Sequence, residues 1–127
     1  VFVVKERDPG LLIELDTACT AILSSRLLTE ANGFSHPKLG PGRLDFSGLS
    51  HDSRRDTLWI ASDQGQCLFH YDWTGDQVLQ RLDLMLNDGG KSKRVRKAEG
   101  VAVDSERGRV YVVSDRDAEL YVFKLHG

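Results

Sequence analysis

One unit of this chain is written twice. At an offset of 52 residues, Ser47–Tyr71 falls on Glu99–Phe123 without a gap, and seven of those 25 positions are identical: Gly48/Gly100, Asp52/Asp104, Ser53/Ser105, Arg55/Arg107, Ser62/Ser114, Asp63/Asp115 and Leu68/Leu120. An internal repeat constrains a fold more than composition does, because each copy must be a supersecondary unit that buries its faces against its neighbours. A third, partial copy opens the chain, where Val1-Phe2-Val3-Val4-Lys5-Glu6 falls on Leu58-Trp59-Ile60-Ala61-Ser62-Asp63 at an offset of 57.

The units read as short strands separated by turns. Gly48-Leu49 and Gly100-Val101-Ala102-Val103 begin a first strand that ends at a polar turn rich in Asp, Ser and Gly. Thr57–Ser62 and Arg109–Ser114 form a second strand, apolar at consecutive positions, which predicts that both of its faces are covered. Cys67–Tyr71 and Glu119–Phe123 make a third, and Gln77–Leu84 a fourth that completes the middle unit. With a further strand around Ala21–Leu28 in the first unit, the reading gives ten strands and almost no helix, since no segment sustains a 3.6-residue apolar period.

Repeats of this length built from strands and turns are the signature of β-propeller blades. The expected fold class is therefore all-β: a partial β-propeller of about two and a half four-stranded antiparallel blades. The expected divisions are an incomplete blade over 1–42, a complete one over 43–96 and an incomplete one over 97–127. Closed propellers hold about four blades or more. The start inside an apolar strand without Met, and the stop at Leu125-His126-Gly127, predict a piece of a longer protein. The alternative is self-association, in which two copies cover each other's open blade edges.

Composition narrows the partners. With 28% charged residues and a net charge of −2 there is no overall basic footprint, so no nucleic-acid partner is expected. The longest apolar runs are four or five residues, too short to span a membrane. No segment has the pattern of a signal peptide, which says nothing of secretion in a chain that begins in mid-unit. Cys19 and Cys67 lie in different units without metal-type spacing; a disulfide is one reading, two buried or half-buried thiols the plainer one.

The recurrence of acids suggests where chemistry lies. In an antiparallel pair the start of the first strand lies beside the end of the second, so Asp45 and Glu99 share a sheet edge with Glu6, Asp63 and Asp115. In a propeller that edge is a rim of the central channel. Carboxylates from three units on one rim suit a hard cation such as Ca²⁺ or Mg²⁺, and Glu99, Asp45, Asp63 and Asp115 are the candidate metal ligands. Asp63 and Asp115 each follow a Ser at a turn, so capping of loop amides competes with ligation there. Glu99 stands out because its counterpart is Ser47 and because it precedes a glycine that allows close backbone approach.

Other motifs carry less. Lys91-Ser92-Lys93-Arg94-Val95-Arg96-Lys97 reads as a solvated connection, with a sharper alternative in which it reaches the acidic rim and holds an anionic group. Ser50-His51-Asp52 cannot form a triad, because adjacent residues of a strand point apart. His36, His70 and His126 lack partners at metal spacing, and His70 reads as packing.

Val3-Val4-Lys5-Glu6-Arg7-Asp8-Pro9, Asp45-Phe46-Ser47-Gly48-Leu49 with Leu58-Trp59-Ile60-Ala61-Ser62-Asp63, and Ala98-Glu99-Gly100-Val101-Ala102-Val103-Asp104 with Val112-Val113-Ser114-Asp115 together resemble the SdiA-regulated family, also called the YjiK/CarP family, in its C-terminal half. The resemblance implies a bacterial β-propeller, exported to the periplasm or anchored in the cell envelope, with links to calcium-responsive regulation and likeness to phytase-like propellers. Residue by residue, Glu99 matches the family's acid before glycine, and Asp45, Asp63 and Asp115 its recurrent acids. The functional expectation is a calcium-binding or signalling module that engages an unknown protein or small-molecule ligand. The alternative is a metal-dependent hydrolase of phosphoesters or lactones, with Glu99 or Asp45 as metal ligand or general base. No nucleophile–base pair supports an enzyme, so no catalytic residue is assigned.

Overall fold

A computed structural model describes residues 1–40, 42–88, 90–116 and 118–125 of the chain. Its elements are strands, with one short 3₁₀ turn at Glu30–Asn32. Strands β1 (Phe2–Lys5), β2 (Leu11–Leu15) and β3 (Ile22–Leu27) form the first sheet. Strands β4 (Gly48–Asp52), β5 (Thr57–Ser62), β6 (Cys67–Asp72) and β7 (Gln77–Asp83) form the second, in that order. A two-stranded hairpin, β8 (Met85–Asp88) with β9 (Lys91–Arg94), leads to the third sheet of β10 (Ala98–Asp104), β11 (Arg109–Ser114) and β12 (Glu119–Lys124). Among the described residues every strand pairing is antiparallel between neighbours in sequence, and no sheet closes on itself. The chain is an all-β partial propeller whose three larger sheets are its blades.

The repeated aspartates explain the repeated turns. At the end of β4, Asp52 Oδ1 accepts the amides of Arg54 and Arg55, both at 3.2 Å. At the end of β10, Asp104 Oδ1 accepts the amide of Arg107 at 3.1 Å. Each carboxylate satisfies turn amides that the ladder leaves free. Each turn then closes through a left-handed residue, Asp56 at φ 53° and Gly108 at φ 63°.

The consecutive apolar residues of β5 serve two cores at once. Leu58 and Ile60 join Leu12, Phe34, Phe46 and Phe69 between the first and second blades. Trp59 and Ala61 join Leu68, Val95, Val110 and Val112 between the second and third. All six residues of β5 are buried, as its sequence predicts. Each large aliphatic side chain so buried contributes about 1.5–3 kcal/mol. The equivalent β11 differs: Val110 and Val112 are buried, but Val113 is 49% exposed. Among the described residues no sheet packs on that outer face of the third blade, which also carries exposed Leu120 and Val122.

Two further expectations need correction. The described residues form twelve strands, not ten, because the basic connection is not a plain loop: its first half is β9, hydrogen-bonded to β8. The buried side chains of Leu84 and Val95 anchor the hairpin's base, where the Val95 amide donates to the Leu84 carbonyl at 3.0 Å. Cys19 is exposed rather than buried, and both cysteines are free thiols. Burial pushes the Cys67 thiol up to about 12.

At Gly48 the second and third blades meet backbone on backbone. A Cβ built on Gly48 would lie 3.2 Å from the Gly100 Cα and 3.3 Å from the Val101 nitrogen, whereas one on Gly100 meets only the Val113 Cβ at 3.9 Å. The two glycines occupy the same repeat position but differ in surroundings. Gly48→Ala is therefore expected to destabilise by about 1–3 kcal/mol, as overpacking does. Gly100→Ala should be neutral or stabilising by up to about 1 kcal/mol through the unfolded chain. Urea unfolding of the two variants checks the asymmetry, and equal losses would contradict it.

Candidate functional site: an acidic rim

The blade topology puts five carboxylates on one rim. Glu6 follows β1, Asp63 follows β5 and Asp115 follows β11, while Asp45 precedes β4 and Glu99 lies in β10. The registers Gly48↔Ala61 and Ala98↔Ser114 set the start of each inner strand beside the end of the next. Backbone bonds continue these ladders onto the rim, from the Ser47 amide to the Ala61 carbonyl at 2.8 Å and from the Asp115 amide to the Lys97 carbonyl at 3.0 Å. The blades are also tied there to one another. The Phe46 amide donates to the Glu6 carbonyl at 2.8 Å, and the Ser47 hydroxyl donates to the Ala98 carbonyl.

Glu99 occupies a distinctive backbone position. The pairing of β10 with β11 slips between Ala98 and Gly100, so Glu99 is the extra residue of a β-bulge. Bulges kink a strand and re-aim a side chain. The Glu99 carboxyl is held above the usual glutamate range, first by partial burial and then by repulsion from Asp63, Asp115, Asp45 and Glu6, in that order. These are the other four acids that the repeat brings to the rim.

The five differ in their work. Asp45 is buried, at 3% exposure, and its Oδ1 accepts from the Ser62 hydroxyl at 3.0 Å and from the Gln64 amide at 2.7 Å. The Ser62 hydroxyl in turn accepts from the Gly65 amide at 3.0 Å, so Asp45 organises the loop after β5. In the next blade Lys97 stands at the position of Asp45, and the Ser114 hydroxyl donates instead to the Arg96 carbonyl at 2.6 Å. Asp63 is half-buried, and Asp115, Glu6 and Glu99 are exposed. As a donor set, carboxylate oxygens suit a hard cation. In spacing they do not form a ready cage: among the described residues no three His, Cys, Asp or Glu side chains gather closely enough to hold a metal ion.

The remaining motifs resolve into separate jobs. Ser50 Oγ accepts the Val103 amide at 3.0 Å, His51 Nε2 meets Asp56 Oδ1 at 2.8 Å, and Asp52 caps its turn, so these neighbours share no site. His70 is buried, 2.7 Å from Thr57 Oγ1 and stacked on Trp59 at 4.2 Å. That burial lowers its pKa and keeps the ring neutral. His36 lies half-buried within the connection between the first two blades, and His126 lies outside the described residues. The end of the basic run does reach the acids, since the Lys97 and Arg96 carbonyls bond Asp115 and Ser114, while the side chains of Lys91, Lys93, Arg96 and Lys97 are exposed.

Sequence comparison agrees with this architecture. The model of the SdiA-regulated family matches residues 1–124. The chain belongs to the SdiA-regulated family. Membership covers all three blades and every acid of the rim, so the rim of this SdiA-regulated protein is carried wholly by the matched region. No helix among the described residues is long and apolar enough to cross a membrane.

Two outcomes follow for this member of the family. Asp45→Ala removes the acceptor for a buried hydroxyl and an amide and is expected to cost about 1–3 kcal/mol in thermal or urea unfolding. Glu99→Gln should act in the opposite direction. The raised pKa of Glu99 means that the fold favours its protonated form, an advantage present at acid pH and lost as pH rises through the folded-state value. Removing the charge should therefore stabilise the protein slightly near neutral pH, by no more than about 0.5 kcal/mol for so exposed a group, with the difference fading in acid. Melting curves across pH would show it.

Proposed function

We propose that this propeller is a binding and signalling module whose acidic rim takes up a divalent cation, calcium foremost, and thereby presents that face to a protein or small-molecule ligand in the cell envelope. The observation that carries the reading is Glu99, set on a bulge amid four other carboxylates whose mutual repulsion a cation would relieve. The spacing of the acids argues for a cation that keeps much of its water and bridges Glu99 with Asp63 or Asp115 loosely. Affinity in the range of about 0.1–1 mM is what such weakly caged extracellular calcium sites show. Asp45 serves this site by holding the Asp63 loop in place.

Calcium titration by calorimetry, paired with melting curves, tests the reading on the whole chain. The wild type should bind in the range above and gain thermal stability with calcium, because a ligand that binds only the folded state stabilises it. Glu99→Gln and Asp63→Asn should each weaken binding about tenfold or more, while both variants keep their fold. Protonation of Glu99 should compete, so binding declines as pH falls through its raised pKa and recovers above it. No calcium response in the wild type would overturn the cation reading. Chelator-sensitive turnover of a generic phosphoester or lactone would move it to the hydrolase class.

A further inference from the structure

The array of three blades presents two open sheet faces of opposite kind. Side chains alternate along a strand, so the first blade packs Phe2, Val4 and Leu12 on the second and turns Val1 and Val3 the other way. The third blade packs Val110 and Val112 on the second and turns Val113, Leu120 and Val122 away. Among the described residues, the large apolar side chains left exposed belong mainly to these two blades. They are Val1, Val3, Ile22, Leu23 and Leu27 in the first and Val113, Leu120 and Val122 in the third, against Leu79 and Met85 elsewhere. Contiguous exposed apolar surface of this kind marks a place of association.

The repeat says what covers each face. At the offset of 52, Tyr111, Val113 and Leu120 are the counterparts of Trp59, Ala61 and Leu68, on the side of the second blade that the third blade covers. At the offset of 57, Val1 and Val3 are the counterparts of Leu58 and Ile60, on the side that the first blade covers. The third blade thus offers a surface that receives a following blade, and the first blade a surface that receives a preceding one. The two faces are complementary, and since both are exposed the chain does not cover one with the other. Charge is kept to their margins. Lys5 stands at one end of the first face, and Asp104, Arg109 and Lys124 share one register row at an end of the other, which leaves an apolar centre within a polar border.

We propose that a second copy of this chain covers both faces, the third blade of each copy packing on the first blade of the other in a closed dimer. A head-to-tail contact makes a ring when its rotation closes and a filament when it does not. Propellers close at about four to eight blades, and two copies of three blades supply six. Area points the same way. A face of three strands about six residues long measures about 14 Å by 20 Å, slight beside the ~800 Å² that a stable complex buries on each partner. A ring that uses both faces of each copy is therefore favoured over a single contact. The dimer does not rest on the cation reading, although it sets two acidic rims around one channel.

Sedimentation velocity on the whole chain between about 1 and 100 µM tests the dimer. The wild type should sediment at twice the mass of the chain. Val3→Glu and Val122→Lys each alter an exposed position of one face and so break both contacts of the ring. Each should weaken dimerisation about tenfold or more, while its far-UV circular dichroism stays that of the wild type. Mixed together, the two variants should form a one-to-one complex, because the first keeps its third-blade face and the second its first-blade face. Leu27→Glu and Leu120→Lys repeat the test on the same faces should either variant fail to fold. Glu99→Gln should leave the mass unchanged even where it removes a calcium response, so the two readings fail independently. A wild type that stays monomeric throughout, an open series of larger oligomers, undiminished dimers of either variant alone, or no complex in the mixture would overturn the proposal.

Discussion

A strand whose every residue is buried must have protein on both sides, and β5 meets that condition with six residues in a row. Leu58 and Ile60 fill one inter-blade core while Trp59 and Ala61 fill the other, so neither core exists without this strand. Because side chains alternate across a strand, a slip of one residue in β5 would exchange the two cores completely. The registers on either side, Gly48↔Ala61 and Ser62↔Cys67, are thus fixed by packing. The position of the rim is fixed with them, since Asp63 is the next residue of the chain and Asp45 is bonded to Ser62.

The same dependence shows why a glycine opens β4. The Gly48 backbone lies against Gly100, and the inner strands β4 and β10 come together there with no side chain between them. This approach brings the Ser47 hydroxyl to the Ala98 carbonyl and leaves the next residue, Glu99, displaced from the ladder as a bulge. The acid that departs from the repeat and the irregularity in the strand are one feature. A serine at the equivalent place bonds its neighbour; a glutamate instead meets the repulsion of the other acids.

Much of this was legible in the chain itself, for reasons that differ by element. Thr57–Ser62 and Arg109–Ser114 announce themselves through runs of consecutive apolar residues closed by Asp-rich turns, and both match their strands residue for residue. The convergence of Glu6, Asp45, Asp63, Glu99 and Asp115 follows from antiparallel pairing alone and is reflected in the acids that act on Glu99. The hairpin of β8 and β9 is not legible in this way, because Lys91–Arg94 lacks an apolar face and has the pattern of a solvated connection. The role of Asp45 could not be read either. Its carboxylate looks like the others in sequence, and only the fold brings the Ser62 hydroxyl and the Gln64 amide onto it.

The rim combines two uses of negative charge that conflict unless they are kept apart. A buried carboxylate is tolerable when donors surround it, and Asp45, with a hydroxyl and an amide on one oxygen, is of that kind. Glu99 is of the other kind: its charge is opposed by its neighbours, and the bulge keeps it at the surface where water limits the cost. Substituting Lys97 for the counterpart of Asp45 changes the balance in the third blade, where a backbone carbonyl takes over the serine and no buried acid is required. The repeat therefore conserves the job of the serine while releasing the acid, and it is this release that lets one rim hold a structural carboxylate in one blade and an exposed, charge-strained one in the next.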